Sequence, residues 1–347
     1  MERRRRRSPG LCLVAGAVAV AAMAISASLI LQPEPGLLDH ASRLADARSW
    51  LSGFGGYFWE NGHSVLTFRK QQIGVAAISV DISTGAETQH AALSSDLRQG
   101  VPDQLQRRLS PDGRCLLWPR LDRTSLTWCA SDLNGTRLKN WVMARQPTGA
   151  VGPLWLSDGR TWVEIRDATN YSGTYAVLYV CHSLNSSDRS SKSISGLPVW
   201  TVGVAPDNGV VALQWLTGGS SGGDRIAWSE YKPFPKPGGI VTKTVPMPEA
   251  ATGLDEAELS PRGDRIACLV HYTYLSPLEK LLQRFFAVRI HPHEKVGLWV
   301  IRRDGGGKRL VGSEDGGSPF GLLWTQDGRR LSFVDHDSLY SVSAGLN

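Results

Sequence analysis

The chain is poor in cysteine and has little excess charge, and both shortages exclude classes of function. Its 347 residues include five cysteines, and none of them forms the closely spaced pair typical of a zinc site. The formal net charge is +6, but five of the positive charges belong to Arg3–Arg7. The remainder is nearly neutral and shows no footprint of nucleic-acid binding. We therefore expect no cofactor, no bound metal and no nucleic-acid partner.

Long apolar runs are also scarce, and the one that exists lies near the N-terminus. Leu11–Leu31 contains no charged residue, and as a helix it would span about 31 Å, enough to cross a bilayer. Because Arg3–Arg7 precede it, the N-terminus is predicted to stay in the cytoplasm and the rest of the chain to be exported. A cleaved signal peptide is the alternative, since Ala22-Met-Ala24 and Ser26-Ala-Ser28 have the small residues of a cleavage site.

Glycine and proline are plentiful, with 37 and 19 residues spread along the whole chain. Many of them belong to a phrase that recurs with variations: a large apolar residue, a polar turn closed by glycine, and then an apolar run. The clearest copies are Leu109-Ser-Pro-Asp-Gly113, Leu259-Ser-Pro-Arg-Gly263 and Trp324-Thr-Gln-Asp-Gly328. This order of residues predicts a β-hairpin, and its recurrence predicts stacked copies of one unit.

The spacing of the turn glycines suggests which repeat architecture is present. Six anchors can be recognised: Gly62, Gly113, Gly159, Gly209, Gly263 and Gly328. Most intervals between them are close to the roughly 40 to 50 residues of a four-stranded propeller blade. Apolar residues recur before and after each turn, and most tryptophans, including Trp118, Trp155, Trp162 and Trp324, occupy these columns. We interpret them as the packing between neighbouring blades.

A second hairpin follows in several copies. Ile78–Gly85, Trp128–Gly135 and Leu298–Gly305 each run from an apolar strand into a turn of Asp, Asn and Gly, residues that favour chain reversal. These hairpins supply the third and fourth strands of a unit. The sequence therefore predicts an all-β fold, a six-bladed β-propeller of four-stranded antiparallel blades, preceded by one transmembrane helix.

With these motifs in place, the chain resembles a known family. The Ser-Pro-Asp-Gly turn and the later Leu298-Trp-Val hairpin with Asp304-Gly-Gly-Gly-Lys-Arg-Leu310 look like the WD-like repeat of TolB-type bacterial propellers. The resemblance covers residues from about Arg43 to Leu346. It implies a propeller fold but not one function, because such propellers serve as docking platforms, periplasmic scaffolds and the gating halves of serine peptidases.

The two ends of the chain are predicted to meet. The last repeat has room for three strands only, and a strand around Ser42–Trp50 would supply the fourth and remove two exposed sheet edges. A short helix is the alternative, because Leu37, Leu38, Ala41 and Leu44 also fit a helical stripe. The predicted organisation is a basic tail at 1–10, a membrane anchor at 11–31, a linker at 32–42 and the propeller at 43–347.

An insertion between the fifth and sixth anchors reads as a helix. Ser276 is its predicted N-cap, Pro277 its first residue and Glu279 the partner in a capping box. Leu278, Leu281, Leu282 and Phe285 share one face. We expect that face to pack on the propeller rim and not to lie on the membrane, with an interaction helix as the alternative.

Several motifs suggest catalysis or metal binding without establishing either. Gly218-Gly-Ser220-Ser-Gly222 matches a nucleophile elbow, but it lies in a Gly/Ser-rich stretch where a hairpin loop is expected. His271, His291 and His293 are possible metal ligands, although exposed loop histidines are the simpler interpretation. Cys115 and Cys129 are equidistant from Asp122, so a disulfide across a hairpin is possible, with two buried thiols as the favoured alternative.

The functional prediction is a membrane-tethered platform outside the cytoplasm that binds a protein or a cell-envelope component. The alternative is a propeller enzyme of the hydrolase, lactonase or lyase type with its site at the central channel; catalysis is the less favoured of the two. Residues leading into the first strands should lie nearest the channel. Arg107, Arg108 and Glu258 are accordingly the predicted binding residues.

Overall fold

The computed structural model of the chain consists almost entirely of β-strands. The residues it describes are 36–47, 57–70, 75–93, 109–121, 126–142, 153–169, 175–194, 200–216, 225–231, 241–247, 251–286, 289–317 and 319–345. Within these ranges there are 23 strands and one α-helix, α1 (Pro277–Phe286). The all-β prediction is confirmed.

The strands follow one another as short antiparallel runs. In chain order they are β1 (Ala41–Asp46), β2 (Tyr57–Trp59), β3 (Ser64–Lys70), β4 (Val75–Asp81), β5 (Glu87–Leu93), β6 (Cys115–Leu121), β7 (Leu126–Asp132), β8 (Arg137–Val142), β9 (Leu154–Trp155), β10 (Thr161–Thr169), β11 (Tyr175–Ser183), β12 (Arg189–Ile194), β13 (Trp200–Val204), β14 (Val210–Leu216), β15 (Arg225–Tyr231), β16 (Val241–Pro246), β17 (Ala251–Leu259), β18 (Arg265–Tyr274), β19 (His293–Arg302), β20 (Lys308–Asp315), β21 (Phe320–Trp324), β22 (Arg330–Asp335) and β23 (Ser338–Ser343).

These strands form a propeller of antiparallel sheets. Five sheets have four strands: β2 to β5, β9 to β12, β13 to β16, β17 to β20, and β21 to β23 with β1. The sheet between the first two of these has three strands, β6 to β8. The prediction of six four-stranded blades is thus wrong, because the described residues form five complete blades. Within the described part of the three-stranded sheet, one bridge between Leu109 and Leu116 stands in the position of a first strand. For brevity we number the sheets 1 to 6 in order of their anchors.

Apolar side chains join each sheet to the next. One cluster links sheets 4 and 5 through Trp228 and Ile266, and another links sheets 5 and 6 through Leu298 and Leu331. The first strands lie innermost, as shown by contacts of β9 with β13, β13 with β17, and β17 with β21. The tryptophans Trp118, Trp155, Trp162 and Trp324 are all buried in such clusters, as their positions in the repeat predicted.

The ring closes through its N-terminal strand. β1 pairs antiparallel with β23, with Ala41 opposite Val342 and Asp46 opposite Ser338. A further cluster packs Tyr57 of sheet 1 against Val334 of sheet 6. The predicted closing strand is confirmed, although it begins at Ala41 inside the segment assigned as linker, and the alternative of a helix is wrong.

The recurrent turn has a common geometry that explains its glycine. In Ser110-Pro-Asp-Gly113, the amide of Gly113 donates to the carbonyl of Ser110 at 2.8 Å, and Gly113 has a φ of 70°. A residue with a side chain rarely adopts this left-handed conformation. The fourth copy has an extra residue, and there Asn208 takes the left-handed position with a φ of 62°. Asparagine tolerates that conformation better than most residues.

Helix α1 forms as the capping pattern predicted. The amide of Glu279 donates to Ser276 Oγ at 3.2 Å, and the amide of Ser276 donates to Glu279 Oε2 at 2.7 Å. The expectation that its apolar face packs on the rim is wrong, because Leu281 and Phe285 are 50% and 68% exposed. A helix needs a complementary apolar surface to bury such a face, and the described neighbours of α1 offer none.

The predicted transmembrane segment at 11–31 lies outside the described residues. Within the described ranges, no helix has the length and apolar character needed to span a bilayer.

Candidate functional site

A polar cleft lies between sheets 4 and 5. It encloses about 660 Å³. One face of the ring carries the turns that join the first strand of a sheet to its second strand, and the third strand to its fourth. The cleft opens on that face, and we call it the turn-face cleft. Its lining residues are Glu230, Lys243, Gly263, Asp264, Arg265, Arg302, Arg303, Asp304, Gly306, Gly307 and Lys308.

The repeat itself brings these residues together. Within sheet 5 the turns at 260–264 and 303–307 are neighbours, because Arg265 at the start of β18 pairs with Arg302 at the end of β19. Sheet 4 supplies Glu230 and Lys243 from β15 and β16 on the same face. Three consecutive glycines, 305 to 307, lie in the second of these turns. Because they have no side chains, these three positions leave the space between the two sheets unfilled.

A carboxylate at the base of the cleft joins the two sheets. Glu230 accepts hydrogen bonds from Arg303 at 2.8 Å and from Lys243 at 3.3 Å. Arg303 also donates to the carbonyl of Gly263 at 2.9 Å, and Lys243 to the carbonyl of Arg303 at 3.1 Å. Burial by itself would favour the neutral acid, but the bonds from Arg303 and Lys243 hold the pKa of Glu230 below its ordinary value. Glu230 is therefore ionised at neutral pH and fixes both cations.

Arg302 and Asp304 are more exposed to solvent than Glu230 and Arg303. Asp304 accepts a hydrogen bond from Arg302 at 2.5 Å and another from the backbone amide of Gly306 at 2.7 Å. These two hydrogen bonds lower the pKa of Asp304, and the one from Gly306 has the larger effect. Burial lowers the pKa of Lys308, whose amine lies over the ring of Trp299 and contacts the carbonyl of Pro246. The lining holds five cationic and three anionic side chains. The cleft thus has an excess of two positive charges and suits an anionic ligand.

Of the predicted channel residues, only Glu258 lies in the described part of the chain. It is half-buried in β17, and its carbonyl accepts from Trp324 Nε1 at 3.1 Å. Arg107 and Arg108 lie outside the described residues. No described contact therefore brings the three predicted residues together.

A neighbour of Glu258 makes the stronger contacts towards sheet 6. The carboxylate of Glu256 accepts from the amides of Gly321 and Leu322 at 3.0 and 2.7 Å. The pairing of β21 with β22 is irregular there, so Glu256 satisfies donors that the sheet leaves without a strand partner. The sequence pattern did not single out Glu256, because nothing local predicts a bulge in a strand 65 residues further along. Its role is to join two innermost strands.

The same region contains a buried tyrosine. The hydroxyl of Tyr57 donates to Ser332 Oγ at 2.7 Å, and Trp59 Nε1 donates to the same atom at 2.8 Å. Burial, with smaller contributions from the charges of Glu256 and Glu258, raises the pKa of Tyr57. Tyr57 therefore stays neutral and acts as a hydrogen-bonding link across the ring closure.

The histidines considered as metal ligands pair with separate carboxylates instead. His271 contacts Asp255, and His293 Nε2 lies 2.9 Å from Glu279 Oε1 in the cap of α1. His291 is exposed. Among the described residues, no group of three His, Cys, Asp or Glu side chains is arranged to hold a metal ion.

Asp255 and His271 form a carboxylate–histidine pair on the inner part of sheet 5. Asp255 belongs to the innermost strand of that sheet, and both side chains are partly exposed, at 51% and 38%. A carboxylate that orients a histidine is a common device for general base catalysis.

The remaining candidate motifs have structural explanations. The stretch 218–222 lies outside the described residues, but it joins β14 to the antiparallel β15, whereas a nucleophile elbow requires a following helix. Cys115 and Cys129 are free thiols, but only Cys129 is buried, and Cys115 is half-buried, so the favoured interpretation of two buried thiols is correct for Cys129 alone. Cys115 lies opposite Asp132, and Cys129 opposite Trp118. The centre of the hairpin therefore lies beyond Asp122, and the two thiols belong to different packing clusters.

Comparisons with known proteins give a likeness of fold only. No family model and no curated protein sequence matches the chain. Among solved structures it is similar to hydrazine synthase from Kuenenia stuttgartiensis, with 16% identity, a TM-score of 0.48, and coverage of 81% of this chain and 74% of that one. It is also similar to TolB from Acinetobacter baumannii, with 13% identity, a TM-score of 0.43, and coverage of 86% and 67%.

A third similar structure is oligogalacturonate lyase from Vibrio parahaemolyticus, with 12% identity, a TM-score of 0.44, and coverage of 88% of this chain and 96% of that one. Because these TM-scores are below 0.5, the propeller assignment rests on the sheet topology of the chain itself.

Proposed function

We propose that the chain is a membrane-tethered propeller outside the cytoplasm that binds an acidic segment of a protein partner in the turn-face cleft. The observation that carries this proposal is the cleft itself: a cavity of about 660 Å³ between two sheets, lined by five cationic and three anionic side chains. Glu230, Arg303 and Lys243 are held by one another in advance of binding, which reduces the ordering cost of association. The tether follows from the apolar run at 11–31 and the preceding arginines.

The proposal also treats the three-stranded sheet as a sixth blade. Its strands pair in the same order as the last three strands of the other sheets, and the bridge from Leu109 to Leu116 stands where a first strand would pair. Clusters through Trp118 and Trp128 pack it against sheets 1 and 3. On this interpretation the ring has no gap, and the cleft is a local opening between two complete blades.

The binding experiment uses the full chain in detergent and a fluorescent hexaglutamate peptide, followed by anisotropy. Lys308→Gln removes a cation that lines the cleft, and we expect roughly three- to tenfold weaker binding, the size of one charge-assisted contact. Arg309→Gln is the matched control, because Arg309 is the next residue but donates to the carbonyl of Gly345 away from the cleft. Equal losses in both variants, or no binding of the peptide by the parent chain, would reject the cleft as the site.

An enzyme with its site at the central channel is the second candidate, favoured by the contact between Asp255 and His271 on the inner part of sheet 5. Its test is the hydrolysis of chromogenic lactone and ester substrates by the purified chain. Activity that disappears in His271→Gln and persists in Lys308→Gln would place catalysis at the channel. Absence of activity in the parent chain on both substrate types would count against this candidate.

A further inference from the structure

Helix α1 exposes an apolar surface that the described residues leave uncovered. Leu278, Leu281, Phe285 and Phe286 are 59%, 50%, 68% and 71% exposed. At 100° per residue they fall within one arc of the helix, together with the half-buried Leu282. Single exposed apolar residues are ordinary on protein surfaces, but four on one short helix mark an interaction surface.

The opposite side of α1 has the charge of a helix that lies on a membrane. Lys280, Gln283 and Arg284 are exposed there. The one acidic residue, Glu279, is occupied in the cap, where bonds from His293 and then Ser276 lower its pKa to about 2. Large aromatic and aliphatic residues on one side, with cations on the other, are typical of helices that lie in the interface of a bilayer.

The described chain begins on the same blade that carries α1. Gly36 forms a bridge with Ser313 of β20, and the amide of Leu37 donates to the carbonyl of Ser313 at 2.8 Å. Leu37 is 1% exposed, so this attachment is firm. Leu31, the end of the apolar run, precedes Gly36 by five peptide links, which can span at most about 18 Å. A membrane anchor at 11–31 therefore keeps the outer edge of sheet 5 close to the bilayer.

The base of α1 lies within the same reach. Ser313 pairs with Gly297 of β19, and β19 continues for four residues to His293, next to the helix. At strand spacings of about 4.8 Å and a rise of about 3.3 Å per residue, His293 is roughly 16 Å from Gly36. The attachment of the N-terminal segment on β20 and the base of α1 at the start of β19 thus lie on one blade, at a separation that allows the anchor and α1 to meet the same surface.

The geometry points to α1 as a second membrane contact: its apolar side inserts into the lipid interface beside the N-terminal anchor and fixes the orientation of the propeller on the bilayer. This inference rests on the proposed membrane tether. One anchor alone would leave the ring free to rotate about a short linker. A second contact on the same blade removes that freedom and presents a defined side of the ring to partners.

The test compares amide hydrogen exchange of residues 276–286 in the full chain in detergent and in nanodiscs of phosphatidylcholine with phosphatidylglycerol. We expect exchange of the α1 amides to slow at least about tenfold in the bilayer. The double variant Leu281→Ser with Phe285→Ser should lose this protection. The matched control is Leu138→Ser with Val241→Ser, which removes two apolar side chains that are 45% and 52% exposed on other blades, and it should keep the protection.

The possible failures are distinguishable. Extraction of the full chain from membranes by alkaline carbonate would refute the tether on which the inference depends. A chain that resists extraction but exchanges its α1 amides equally in bilayer and detergent would refute the lipid contact and leave the tether standing. Protection that rises with protein concentration in detergent would instead assign the apolar side to a second copy of the chain and overturn the inference.

Discussion

The interface between sheets 2 and 3 and the interface between sheets 4 and 5 solve one packing problem in opposite ways. Each holds an acid and a base between two sheets. Glu164 and His182 lie on the two middle strands of sheet 3, whereas Glu230 belongs to β15 of sheet 4 and Arg303 follows β19 of sheet 5. In the first, Glu164 and His182 lie 2.8 Å apart with side-chain exposures of 0% and 3%. In the second, Glu230 and Arg303 lie 2.8 Å apart and both are 18% exposed. The first pair is enclosed between its sheets, with the other ring nitrogen of His182 3.0 Å from the partly exposed Asp188, and the second pair faces a cavity.

Aromatic bulk accounts for the sealed interface. The ring of His182 packs beside Trp141 and Trp162, at centroid distances of 5.0 and 5.7 Å, and those two rings lie 4.8 Å from each other. Trp128 and Trp155 pack around the same group. Glycine accounts for the open interface. The turn between the third and fourth strands of sheet 5 contains three glycines, 305 to 307, which have no side chains to fill the space. The difference teaches that in this ring the side chains between two sheets decide whether an acid–base pair is enclosed or faces a cavity open to a ligand.

The largest effect is expected where the sealed interface loses its bulk. Trp162 is fully buried, and Trp162→Ala should lower the free energy of unfolding by about 4 kcal/mol, as for other large buried aromatic residues. Urea denaturation followed by circular dichroism measures it. A loss below about 1 kcal/mol would mean that the stack contributes little to the ring, and the contrast between the two interfaces would fail.

Glu164→Gln should have the next largest effect. It leaves His182 buried beside a weaker acceptor, at a cost of about 2 to 3 kcal/mol. The matched change at the open interface, Glu230→Gln, should cost only about 1 kcal/mol or less, because solvent screens that pair. Parallel urea titrations decide the point, and equal losses at the two positions would contradict the distinction between sealed and open pairs.

The glycines of the open interface allow a smaller test. Gly305 has a φ of 83° with no atom near the position of an added Cβ, so Gly305→Ala should cost about 1 to 2 kcal/mol through backbone strain alone. The control is Gly307→Ala, whose φ is not positive and whose added Cβ meets only Arg302 Cδ at 4.0 Å. It should change the unfolding free energy by less than about 0.5 kcal/mol. A reversed order would show that the turn is not held as described.

The smallest effect concerns pH. The pKa of Glu230 in the folded chain lies below its ordinary value of 4.5, so the folded state binds a proton less readily than the unfolded state. The stabilisation by Glu230 is then fully present above about pH 5 and declines as the pH falls below 4.5 through the folded pKa. The stability difference between the parent and Glu230→Gln should shrink over that acidic range. A difference that grows on acidification would reverse the assigned sign.

Glu230→Gln also connects the comparison to binding. It raises the excess positive charge of the cleft from two to three, and it should bind hexaglutamate more tightly at low salt than the parent chain. Unchanged affinity would indicate that the peptide contacts some other surface.

The repeat made most of the fold predictable. The turn before Gly113, the hairpin at Leu298–Gly305 and the pairing of an N-terminal strand with the last blade all follow from local turn chemistry and from the avoidance of open edges. The three-stranded sheet was not predictable, because the anchor at Gly113 is as clear as the others. The residues of the turn do not determine how many residues of the preceding segment pair with the strand that follows.

The candidate site was harder to predict from the sequence than the fold. Glu230 and Arg303 are 73 residues apart and meet only because adjacent blades bring equivalent edges together. A pattern that identifies blades does not state which side chains face each other across them. The exposure of α1 shows the opposite limitation: its stripe of leucine and phenylalanine was evident, but a periodic pattern cannot tell whether that stripe is covered by the same chain or by something else.

The closure of the ring also has a consequence for synthesis. Arg43 and Ser338 contact each other across 295 positions of sequence, so β1 leaves the ribosome long before the strand that pairs with it. Until β23 is made, β1 keeps an unpaired backbone edge, which is open to pairing with other chains. The join between β1 and β23 therefore forms late in synthesis, and a chain without β23 keeps that edge open.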